Sequence, residues 1–120
     1  MTLEQILQIL NGKEVYLPNE EALAQDFAFV SATDLMSDAL AMVKTQEDRT
    51  ILVTGLVNAQ AFRTAQMLDI TNIIFVRDKQ PSERDLAVAE ELGCNVFSSP
   101  LSMYEACGRL YEAGLRTATR

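Results

Sequence analysis

The chain of 120 residues contains no histidine and no tryptophan. Histidine is the commonest proton shuttle near neutral pH and the commonest metal ligand, so the many serines lack a partner base for nucleophilic catalysis. Metal binding would rest on scattered carboxylates alone, and no pair of acids is forced together by spacing. No catalytic or metal residue is therefore assigned, and no cofactor is expected. Cysteine is also scarce: Cys94 and Cys107 stand thirteen positions apart, with no C-x-x-C. Both lie among apolar neighbours, which predicts buried, inert thiols in a reducing compartment. Long hydrophobic runs are missing, so nothing approaches the roughly eighteen residues that a membrane span needs. The opening "MTLEQILQIL" has neither a basic region nor a small-residue cleavage site, which predicts a cytoplasmic protein without a signal peptide. Basic stripes are lacking too. With a formal charge of −7 and charges scattered along the chain, a nucleic-acid partner is not expected.

What remains is regular. Apolar residues make up 48% and charged residues 22%, an ordinary globular composition for one domain spanning 1–120. Leu3, Ile6, Leu7 and Leu10 form one stripe of a helix over 2–11, with Thr2 and Gln5 as a capping box and Gly12 as a left-handed stop. A short extended piece, Glu14 to Leu17, ends at Pro18-Asn19, and "DFAFV" (Asp26 to Val30) reads as a strand. A second stripe, Leu35, Met36, Ala39, Leu40 and Val43, follows a cap at Thr33 or Asp34, and "QEDR" (Gln46 to Arg49) is a polar turn. Ile51-Leu52-Val53 is a strand covered on both faces, and Asn58 caps a helix that buries Ala61, Phe62, Ala65 and Leu68. The unit repeats with the strand Ile73 to Val76 and a helix capped by Ser82, whose core stripe Leu86, Ala89 and Leu92 closes at Gly93. It repeats again with Val96-Phe97 and a helix capped by Ser102. Leu52, Ile74 and Val96 recur every twenty-two residues, the length of a strand, a loop and a three-turn helix. Repeated βα units over about 26–115 predict an α/β fold with a largely parallel sheet and right-handed crossovers.

In such sheets ligands collect where strands hand over to helices. Those turns supply Ser31, Thr33, Thr54, Gly55, Asn58, Arg77, Ser82 and Ser98 as candidate contacts for a small anion. Capping and turn duty is the competing reading of the same residues. The Thr54-Gly55 turn is not a phosphate cradle of the standard kind, because no G-x-G-x-x-G and no G-x-x-x-x-G-K-[ST] surrounds it. The last helix carries two apolar stripes. Met103, Ala106, Cys107, Leu110 and Gly114 form one, and Tyr104, Gly108, Tyr111 and Leu115 the other, with Glu105, Arg109, Glu112 and Arg116 between them. Either the domain buries both stripes or a second subunit covers one. The phenols and the helical glycine favour a homodimer through Tyr104, Gly108, Tyr111 and Leu115.

The blocks "AFVSATD", "ILVTGLVNAQAFRTAQ", "IIFVRDKQPSERDLAVAEELGCNVFSSP" and "SMYEACGRLYEAGL" resemble the DRTGG domain in its stand-alone form. That module is similar to the segment between CBS domains of some pyrophosphatases and to a middle domain of some phosphotransacetylases. The resemblance implies a three-layer α/β/α fold akin to the N-terminal domain of the HPr kinase. It also implies a regulatory or dimer-forming module without established catalysis. Taken with the strand-end turns and the last helix, the expected function is a non-enzymatic regulatory or assembly module, homodimeric, that senses a small anionic metabolite or nucleotide at the strand ends. Stand-alone members are often encoded beside iron hydrogenase subunits, so docking on such a redox complex without a ligand is the alternative. The chain departs from the family pattern in two places. Arg77-Asp78 stands where many members carry a glycine pair, and Gly55-Leu56 where fused domains show Asp-Arg.

Overall fold

A computed structural model describes residues 1–42 and 49–117; Val43 and the Gln46–Asp48 part of the polar turn lie outside them. The elements run α1 (Leu3–Ile9), β1 (Lys13–Tyr16), a 3-10 turn (Glu20–Ala24), β2 (Phe29–Ala32), α2 (Met36–Met42), β3 (Thr50–Thr54), α3 (Ala59–Met67), β4 (Asn72–Phe75), α4 (Glu83–Leu92), β5 (Asn95–Ser98), α5 (Met103–Glu112) and β6 (Arg116–Thr117). They build a six-stranded sheet in the order β1-β5-β4-β3-β2-β6. Strands β2 to β5 and β6 are parallel, and only β1, paired with β5 on one edge, is antiparallel.

The layers follow from that order. From β2 to β5 each step moves the same way across the sheet, so right-handed crossovers leave α2, α3 and α4 on one face. The connection from β5 to β6 runs back across the sheet, and α5 accordingly lies on the other face beside α1. Alternate residues of each strand feed the two cores. Leu52, Ile73, Phe75 and Val96 pack with Phe62, Ala65 and Ala89 under α3 and α4. Ile51, Val53, Ile74 and Phe97 pack with Leu3, Ile6, Leu10, Ala106 and Leu110 under α1 and α5. Phe62 meets Phe75 edge-on, with ring centroids 5.7 Å apart. The register row is Leu52–Ile73–Val96, so Ile74 faces the opposite core from the two residues with which its spacing groups it. Asn95 Nδ2 donates to Asn72 Oδ1 at 2.9 Å in the interior, which satisfies both amides and pins β4 against β5.

Local signals explain most boundaries. Thr2 and Gln5 form the reciprocal capping box of α1. Asn58, Ser82 and Ser102 accept from the first turns of α3, α4 and α5, and Gly93 ends α4 at φ 75°. Other expectations need correction. After α1 the left-handed residue is Asn11 (φ 52°), not Gly12. A Cβ on Gly12 would stand 2.7 Å from Leu7 Cδ2, so a side chain there would make the Leu7 terminus shift. Strand β2 starts at Phe29 rather than Asp26, whose carboxylate holds the Met1 ammonium at 2.7 Å and Arg49 at 2.9 Å. Of the expected second stripe, Met36 and Ala39 reach the core, whereas Leu35 and Leu40 are exposed. The last helix ends at Glu112, and the chain turns through Gly114 (φ 111°) into β6.

Candidate functional site

The parallel strands β2 to β5 deliver their carboxyl ends to one rim of the sheet. Between β4 and β5 the following helices leave to opposite faces, the topological position at which α/β sheets commonly bind ligands. Here that crevice is closed by the chain itself. Ser99 N–H donates to Phe75 O, Asp78 N–H to Ser99 O and Arg77 N–H to Leu101 O, each at 2.8 Å. The Ser98 hydroxyl donates to Lys79 O at 3.2 Å and the Ser99 hydroxyl to Leu10 O at 2.7 Å, and both side chains are fully buried.

One strand over, at the end of β3, charged side chains converge on a glycine. Gly55 N–H donates to Asp34 Oδ1 at 2.6 Å, and the Thr54 hydroxyl donates to the same oxygen at 3.4 Å. Thr54 Oγ1 in turn accepts Leu56 N–H at 3.0 Å, and Lys79 Nζ donates to Gly55 O at 3.3 Å. A Cβ on Gly55 would meet Arg77 Nη2 at 3.0 Å and Asp34 Oδ1 at 3.1 Å, so a side chain there would press both charges back by a few tenths of an ångström. Arg77 and Asp78 take left-handed backbone (φ 60° and 56°), which costs a residue with a Cβ about 1 kcal/mol. The two backbone bonds to Leu101 and Ser99 hold that turn, and it returns the guanidinium to Gly55. Among the described residues no carboxylate pairs with Arg77, and Arg77 and Lys79 are both exposed.

Of the residues expected at the rim, the structure thus brings Thr54, Gly55 and Arg77 together. Ser31 sits buried in β2 opposite Leu52, and Thr33 accepts Leu35 N–H at 3.1 Å. Asn58 and Ser82 are engaged as helix caps and Ser98 in the closed crevice. Asp34 and Lys79 also belong to the cluster, outside the set of contacts that the sequence predicts. For Lys79 the signal was its place in the "RDKQPS" turn; for Asp34 a capping reading hid it.

On α5, Tyr104 and Tyr111 are 88% and 65% exposed, and with Met103, Cys107, Gly108 and Glu112 they line a groove of about 650 Å³. Beyond its own helix backbone, nothing among the described residues stands within 4 Å of a Cβ on Gly108. Leu115 does not share this face: it is buried in the core under α1 and α5. Arg116 stacks on the Tyr111 ring at 4.2 Å. Burial pushes the Cys94 thiol up to about 11 and raises that of Cys107, so neither is a thiolate nucleophile near neutral pH.

No family model matches the sequence, and no curated protein matches it. Among solved structures the fold is similar to the CBS and DRTGG domains of the regulatory region of Clostridium perfringens pyrophosphatase, complexed with the activator diadenosine tetraphosphate. The TM-score is 0.68 at 16% identity, over 95% of this chain and 47% of the other, so this chain spans about half the length of that structure. The fold is thus DRTGG-like, a three-layer α/β/α arrangement around a mostly parallel sheet. No helix among the described residues is long and apolar enough to cross a membrane.

Proposed function

We propose that this chain is a non-enzymatic regulatory module that senses a small anionic metabolite or nucleotide at the carboxyl end of β3 and assembles as a homodimer through α5. The observation that carries the sensing half is the convergence of Arg77 and Lys79 on the Gly55 turn, with the guanidinium lacking a carboxylate partner among the described residues. The fold likeness to a regulatory region that holds a nucleotide activator supports the class of function. A thermal-shift series with AMP, ATP and acetyl phosphate tests it. Stabilisation by at least one of them, lost in Arg77→Ala, is expected; no shift at millimolar ligand would leave only assembly.

The dimer half rests on Gly108. Glycine in a helix interior costs about 1 kcal/mol, yet beyond its own helix backbone nothing among the described residues comes within 4 Å of a Cβ there. A second copy crossing antiparallel at Gly108 would set Tyr104 against the partner's Glu112 and Tyr111 against the partner's Glu105, phenol donors facing carboxylate acceptors. Light scattering on the eluting protein should give twice the chain mass, and Gly108→Arg should give a monomer. A monomeric wild type at high micromolar concentration would refute it. Docking on an iron hydrogenase, the alternative that the resemblance implies, draws support only from the acidic charge of −7.

A further inference from the structure

The end of β3 presents its N–H to a carboxylate. Asp34 Oδ1 lies 2.6 Å from Gly55 N, and its two oxygens and Arg77 Nη2 all stand within 3.5 Å of the space that a Gly55 side chain would fill. The guanidinium and carboxylate share this space without forming an ion pair. We propose that Asp34 is an internal anion occupying a phosphoryl subsite made by Gly55 N–H, Arg77 and Lys79, and that the phosphate of the ligand displaces it. This rests on the sensing reading above; it names the group recognised and the residue that opposes it.

The charges decide which ligands compete. A phosphate monoester carries about −1.5 to −2 at neutral pH, with three acceptor oxygens. A carboxylate brings one charge and two oxygens. Against a guanidinium, an ammonium and a backbone N–H, the phosphoryl group makes the stronger charge-assisted bonds. A free carboxylate gains nothing over Asp34, which is tethered and loses no translational freedom on binding. The subsite therefore selects phosphoryl groups over carboxylates. Asp34 also lies two residues before α2, so its release loosens the entry to that helix and carries occupancy of the rim to the α2–α3 face.

Titration calorimetry of the full chain with AMP and with acetate tests this. In Asp34→Asn an amide oxygen still accepts Gly55 N–H, but the charge is gone. AMP is expected to bind it about tenfold tighter than wild type, acetate not to bind wild type and to bind the variant far more weakly than AMP, and Arg77→Ala to lose AMP. Melting temperature checks that the variant folds, and Asp34→Ser supplies a second uncharged variant. Equal or weaker AMP binding by the uncharged variants, acetate binding on a par with AMP, or AMP binding that survives Arg77→Ala would overturn the proposal while the chain still senses anions. No AMP binding by any variant would remove the sensing reading with it.

Discussion

Two neighbouring crevices at the same rim of the sheet differ in what fills them. Between β4 and β5, where topology favours a ligand, the hydroxyls of Ser98 and Ser99 and three backbone bonds close the gap with the chain's own groups. At the end of β3 an exposed guanidinium, an exposed ammonium and a carboxylate surround a buried glycine. On the proposed reading, the ligand sits one strand away from the position that strand order alone would pick. What separates them is whether polar groups are satisfied within the chain: the first crevice serves stability, and the second keeps charge available.

Three changes probe that contrast. Ser99→Ala strips the donor from Leu10 O and the acceptor from Leu101 N–H inside the closed crevice. Leaving buried groups unpaired costs about 1–3 kcal/mol, so denaturant unfolding should show that loss while AMP affinity stays unchanged. Arg77→Gly should separate the two roles in the opposite sense. Relief of the left-handed backbone gains about 1 kcal/mol, and the added freedom of glycine in the unfolded chain returns about half of it. Stability rises slightly, and ligand binding disappears. A destabilised Arg77→Gly would mean that the guanidinium serves the fold.

The smallest effect lies at the opposite end of the sheet. Hydrogen bonds from the Met1 ammonium first, and from Arg49 second, hold the Asp26 carboxyl below its usual 3.8. Because the folded value is the lower one, the stabilisation is fully present above about pH 4 and is lost as pH falls through the folded value. Asp26→Asn should flatten the acid limb of the stability profile in that window and leave the rim untouched; an unchanged acid limb would show that these exposed pairs contribute nothing.

Periodicity made the sheet and its helices legible, because strands buried on both faces read as apolar runs and hydroxyl or amide caps mark helix starts. The positions that escaped it depend on contacts across the chain. Leu115 fits the helical stripe of Tyr104 and Tyr111, but the turn at Gly114 sends it into the core. The β6 strand is two residues long, too short for any period to show. Gly12 looks like a helix stop, yet Asn11 takes the left-handed turn and Gly12 only packs closely on the Leu7 terminus. At the site, Arg77-Asp78 was legible as a departure from a glycine pair. That both residues adopt the backbone a glycine would favour became visible only in the fold. Asp34 was hidden because capping and ligand-site chemistry use the same side chains.

The most direct test follows backbone amides by NMR while AMP is added to the full chain. The account predicts shifts at Gly55, Leu56 and Arg77 to Lys79 and at the entry to α2, with Ser98 and the α5 amides still. Shifts centred on Ser98 and α5, or none at saturating AMP, would contradict it.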